Sequence, residues 1–169
     1  MRVSKVCALL LTVFALMLPA AQSQSPVRST ADSVRGHFIS LNNRILEMAK
    51  DFPEDKYSFR LRPEMRSFGE VIVHIASGNA YAAKAGRGEN VNWDEIDPKD
   101  YKTKAEIVAL MEKTIADANA RLKALPDVSF SKTIEPWIGV TEHSAEHYGL
   151  LVGYYRANGI VPPTSRPKK

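Results

Sequence analysis

Four segments of this chain carry apolar residues at helical spacing, and none shows the strict alternation of a half-buried strand. In the first segment Val34, Phe38, Leu41, Ile45 and Met48 are three or four residues apart, which puts them on one face of a helix. Turn signals separate this segment from three others of similar length. The pattern predicts an all-α chain folded as a four-helix bundle.

Caps and breakers set the predicted ends of the helices. Pro63 is favoured as a first helical position, and Thr103 with Glu106 fits the S/T-x-x-E capping box. Asn158-Gly159 is a helix stop. The loops after the first two helices exceed what a minimal bundle needs, which leaves room for a topology other than simple up-down-up-down. The predicted helices cover about 30–50, 63–85, 103–125 and 136–158.

Residues 1–23 have the pattern of a secretory signal peptide. Arg2 and Lys5 precede an apolar run from Ala8 to Leu18, and a small-x-small sequence ends at Ser23. The run is shorter than the roughly 20 residues that span a bilayer. We therefore expect an exported protein, periplasmic or extracellular, with a signal peptide at 1–23, a bundle at 24–163 and a basic tail at 164–169.

Removal of the leader changes the charge and cysteine counts. The whole chain has 23 basic and 19 acidic residues, but the leader holds two basic residues and Cys7, the only cysteine. Much of the remaining basic excess lies in the tail. Nucleic acid is thus not an expected partner. Without a thiol, chemistry in the mature protein depends on imidazoles and carboxylates.

Three histidines fall on inward faces of two predicted helices. His143 and His147 are four residues apart, so their rings lie on one side of the last helix, within reach of a single ion. His74 lies near the inward face of the second helix. One divalent ion would satisfy three buried imidazoles that are otherwise costly to bury. The alternative to a metal site is that these histidines are core residues bonded to carbonyl groups. The fourth histidine, His37, fits a position at the boundary of the core.

Other candidate residues have weaker signals. Glu70, Glu142 and Glu146 are near the histidines in sequence and are candidate proton carriers, although exposed helix-face glutamate is the commoner interpretation. Tyr154 and Tyr155 could border a pocket, but packing in the core is the simpler interpretation.

Two stretches resemble the DinB-like (DinB/YfiT) family. One is YSFRLRPEMRSFGE at 57–70, followed by His74-Ile-Ala; the other is HSAEHYGLLVGYYRANGIVPP at 143–163. The similarity covers roughly residues 30–163. It implies a four-helix bundle with a metal site formed by His74, His143 and His147. Characterised relatives include thiol-dependent transferases and isomerases. Members often carry Arg and then Gly-Gln after the last histidine, where this chain has Tyr148, Gly149 and Leu150.

Several functions compete. The first is a metal-dependent enzyme, a transferase that uses a thiol cosubstrate or a hydrolase, with a divalent transition metal such as Zn, Ni, Fe or Mn. The second is a non-catalytic bundle that holds a metal or a small ligand, with haem as a variant. The third is a structural bundle with core histidines. The expected partners are a small-molecule ligand or substrate and a second copy of the chain in a homodimer. A membrane is not an expected partner once the leader is cleaved.

Overall fold

The computed structural model describes residues 29–167, except for the side chains at positions 128, 129 and 131. Within that part of the chain there are helices and short 3-10 turns but no strand, which confirms the predicted all-α bundle. Four helices are long and one, which the sequence analysis missed, is short. They are α1 (Thr30–Asp51), α2 (Phe68–Ala85), α3 (Lys104–Ala124), α4 (Asp127–Thr133) and α5 (Glu135–Ala157).

The start of α2 at Phe68 corrects the prediction that this helix begins at Pro63. Ser67 is the N-cap: its side chain accepts from the Glu70 N–H, and the Glu70 carboxylate accepts from the Ser67 N–H. This capping box satisfies two backbone donors at the new start. Tyr57 also contributes, since its carbonyl accepts from the Gly69 N–H at 2.9 Å. Pro63 therefore lies in the turn before the helix.

The other predicted helix ends agree with the structure. The side chain of Ser29 caps α1, and Thr103 with Glu106 forms a complete capping box at the start of α3. At the other end of the chain α5 ends at Ala157 with Asn158 as its C-cap, and Gly159 follows with φ of +70°. That left-handed conformation is one that glycine adopts without a steric cost.

Helices α1 and α5 are neighbours that run in the same direction. Near their starts the rings of Phe38 and Trp137 are 5.5 Å apart, edge to face. Near their ends the Tyr155 hydroxyl donates to the Met48 carbonyl at 2.9 Å. Helix α5 also packs against α2, and α1 packs against α3. Helices α1 and α2 lie diagonally across the bundle and make little contact.

Helices α2 and α3 also run in the same direction. A Cβ at Gly69 would lie 3.0 Å from Ile107, close to both helix starts, and Arg121 donates to the carbonyl of Gly86 at the other end. Consecutive parallel helices need a connection that returns along the helix, about 27 Å for the 18 residues of α2. Residues 86–103 make this return, so the bundle is up-down-down-up.

Buried aromatic side chains fill the end of the bundle where α2 begins. Phe68 stacks on Phe52 with ring centroids 3.9 Å apart, and Tyr57, Tyr154 and Tyr155 meet it edge to face. All five rings are buried. Tyr154 and Tyr155 are thus core residues, which confirms the simpler of the two interpretations.

The structure describes most of the C-terminal tail but not the N-terminal leader. The signal peptide predicted at 1–23 lies outside the described residues. In the tail, Arg166 makes two bonds to the Asp51 carboxylate, at 2.5 and 2.7 Å, and Thr164 bonds to Tyr148. Thr164 and Arg166 of the tail therefore contact the bundle. None of the helices described is both long and apolar enough to cross a bilayer.

Candidate metal site

The three predicted histidines meet where α2 and α5 pack against each other in opposite directions. His74 comes from α2, while His143 and His147 come from successive turns of α5. Their ring centroids are 4.4–4.8 Å apart, and the Nε2 atoms of His74 and His143 are separated by 2.9 Å. One nitrogen from each ring lies within 4.8 Å of the others. Three imidazoles are therefore arranged so that they could hold one metal ion.

The donor set fits a transition metal. Two nitrogens that each lie about 2.0–2.1 Å from one ion are roughly 3 Å apart at ordinary coordination angles. The separation between His74 and His143 is close to that value. All three rings are partly buried, so their polar nitrogens need partners, and a bound metal ion would accept a lone pair from each ring.

Burial keeps two of the imidazoles neutral. The pKa of His143 is lowered to about 4, mainly by burial and also by the charges of His147, His74 and Arg66. Burial also lowers the pKa of His147, with His74 and Arg66 adding to the effect. A neutral imidazole has a lone pair for a metal, and a protonated one does not. Near pH 7 both rings on α5 are thus available as ligands.

The stability of the metal-free protein should fall as the pH drops from about 6.5 to about 4. The unfolded chain protonates the imidazole of residue 143 near pH 6.5, whereas the folded chain does so only near pH 4. Between these values the unfolded state binds more protons, so acid favours unfolding. Urea denaturation at several pH values measures the slope, which should be shallower in His143→Gln. An identical slope in that variant would contradict the assignment.

An aromatic side chain covers part of the cluster. The ring of Trp93 is 4.9 Å from that of His143 and 6.0 Å from that of His74, and the ring of Tyr81 is 5.5 Å from the indole. A Cβ at Gly78 would be 2.7 Å from Cη2 of the indole. Glycine at this position therefore lets the indole lie close against α2.

Glu95 is next to the histidines, and the sequence analysis did not identify it. Its Oε1 is 2.6 Å from Nδ1 of His74 and 2.9 Å from the guanidinium of Arg66. Burial raises the pKa of Glu95, but the bond to His74 and the charge of Arg66 outweigh this and lower it. The carboxylate is therefore ionised near pH 7. The only signal in the sequence is an acidic residue in the polar connection between α2 and α3.

The three glutamates predicted as weaker candidates have other surroundings. Glu70 belongs to the capping box of α2 and also accepts from Arg60 at 2.6 Å. Burial raises its pKa, and the bonds from Ser67 and Arg60 reverse the effect, so the pKa is lowered. Glu142 and Glu146 are exposed on α5, as the commoner interpretation predicted. His37 is exposed on α1, apart from the cluster.

Comparison with protein-family models shows which family the chain belongs to. The model described as the DinB superfamily matches residues 37–154, a span that includes all three histidines and most of the helical bundle. The chain belongs to the DinB superfamily. A search among curated proteins found no match. The resemblance noted in the sequence is thus confirmed at the level of the family.

Proposed function

We propose that this protein binds one divalent transition metal through His74, His143 and His147. The observation that carries the proposal is the convergence of three partly buried imidazoles from two helices on one point. Burial keeps the α5 pair unprotonated, and imidazole is a ligand suited to Zn, Ni and Fe. Mn is a further candidate, and the metal is identified by the experiment below.

We infer that the bound metal serves a transferase or hydrolase reaction on a small molecule. Three protein ligands leave coordination positions for water or substrate. When bound, a dication would lower the pKa of a water or a thiol cosubstrate, or polarise a carbonyl group. The chain's own part is to hold the ion and to limit access to it: Trp93 lies against His143 and shields that side of the cluster.

A non-catalytic binding bundle is the second candidate. The observation that favours it is Trp93 against the cluster, together with the residues after His147: Tyr148, Gly149 and Leu150 offer little to bind a polar cosubstrate. In this case the protein would hold a metal or a small ligand without turnover. Both candidates share the metal site and differ in whether an exchangeable position remains open.

Metal analysis of protein purified without chelators tests the shared claim. We expect about one metal per chain and a lower melting temperature after treatment with a chelator, because an ion that binds the folded state stabilises it. Protein that neither retains nor takes up Zn, Ni, Fe or Mn, with an unchanged melting temperature, would refute the proposal. Cobalt substitution then separates the two candidates, since azide changes the visible spectrum only where a coordination position is open.

We further propose that the protein is exported. The support is the leader pattern at 1–23, with two basic residues before an apolar run and small residues after it. Expression of the full chain with measurement of the intact mass tests this. A mature protein that begins after residue 20, 21 or 23 in the periplasm or medium is expected, and an uncleaved chain in the cytoplasm would exclude export.

A further inference from the structure

The contact between Glu95 and His74 restricts which ring nitrogen carries the proton. A carboxylate can only accept hydrogen bonds, so Nδ1 of His74 must donate in the 2.6 Å contact. In a neutral imidazole the other nitrogen then has the lone pair. That nitrogen, Nε2, is the one that faces His143 at 2.9 Å.

We propose that Glu95 is a positioning residue for the metal site: it fixes His74 as the Nδ1–H tautomer and aims Nε2 into the cluster. The role in metal binding rests on the function proposed above. The role in the tautomer does not, because it follows from the contact in the metal-free protein. Carboxylates that accept from a metal-binding histidine orient the ring and make it a stronger ligand.

Arg66 holds the carboxylate in place. Its guanidinium contacts the same oxygen of Glu95 that faces His74, at 2.9 Å. The backbone of Arg66 is held in turn, since its carbonyl accepts a hydrogen bond from the hydroxyl of Tyr154 on α5. The position of Glu95 is therefore fixed from the segment that precedes α2, although Glu95 itself lies in the connection between α2 and α3.

Three variants separate the hydrogen bond from the charge. Glu95→Ala removes both, and Glu95→Gln removes the charge but keeps an oxygen that accepts from Nδ1–H. Glu89 is the matched control, because it lies in the same connection and pairs with Arg87. Glu95 and Glu89 are both exposed, so we expect Glu95→Ala and Glu89→Ala to fold, which circular dichroism would verify.

Nitrogen NMR of histidine-labelled, metal-free protein at pH 8 is the primary measurement. We expect the Nδ1–H tautomer at residue 74 in the wild type, in Glu95→Gln and in Glu89→Ala. In Glu95→Ala we expect a mixture with the Nε2–H form. An Nε2–H tautomer in the wild type, or an unchanged tautomer in Glu95→Ala, would overturn the proposal.

Zinc competition titration is the second measurement. Glu95→Ala should bind zinc 10- to 100-fold more weakly, Glu95→Gln less than about 10-fold more weakly, and Glu89→Ala as the wild type does. Equal losses in both Glu95 variants with an unchanged tautomer would mean that Glu95 is a direct ligand, which also overturns the proposal. If zinc does not bind at all, the metal function fails, and the NMR result still decides the role of Glu95.

Discussion

Replacing His147 by alanine should weaken metal binding at least about 100-fold, more than the loss expected for a neighbour of a ligand. The variant leaves two imidazoles, from different helices, at a site that the structure builds from three. The melting temperature in the presence of metal should fall as well. At a metal concentration 1,000 times Kd the bound ion contributes about 4.1 kcal/mol, and a 100-fold weaker site loses about 2.7 kcal/mol of it.

His37→Ala is the matched control for this prediction. The same residue type is lost from an exposed position on α1, away from the cluster. Its metal affinity and its metal-dependent melting temperature should equal those of the wild type. If both variants keep the wild-type metal affinity and melting temperature, or if both lose them equally, His147 has no special part in holding the ion.

Replacing Phe68 by alanine should lower the free energy of unfolding by about 3–5 kcal/mol, the range for truncating a buried aromatic ring. The side chain is fully buried, stacks on Phe52 and meets Tyr57 edge to face at 5.2 Å. Its removal leaves a cavity at the end of the bundle where α2 begins. Urea denaturation of the metal-free protein measures the loss without a contribution from the ion.

Ile138→Ala is the control for the loss of a large apolar side chain. Ile138 is 44% exposed on α5, so its truncation should change stability by no more than about 0.5 kcal/mol. A loss below 1 kcal/mol in Phe68→Ala would mean that the aromatic cluster is not a tightly packed part of the core.

Local signals predicted most of the helix ends, and the failure at α2 shows where such signals compete. Pro63 favours a first helical position, but Ser67 and Glu70 form a capping box a few residues later. Hydrogen bonds to the preceding turn favour the second start, because the Phe68 N–H donates to the Phe59 carbonyl. The spacing of apolar residues does not show at which residue α2 begins.

The candidate site was predictable only in part, for a similar reason. His143 and His147 share a face because of the geometry of one helix, so their spacing was enough. His74 was added from its inward position and from the resemblance to a family. Glu95 approaches His74 because residues 86–103 return across the bundle, and no periodicity in the sequence marks that path.

The parallel arrangement of α2 and α3 has a practical consequence for redesign. Residues 86–103 must span the bundle, so shortening them would separate the helices. Exchanges inside the connection, away from its ends at Gly86 and Thr103, keep the caps of both helices. Trp93 and Glu95, which shield and contact the histidine cluster, both belong to this replaceable part of the chain. A library confined to residues 89–96 could therefore alter ligand access and metal preference with the three histidines and the aromatic core unchanged.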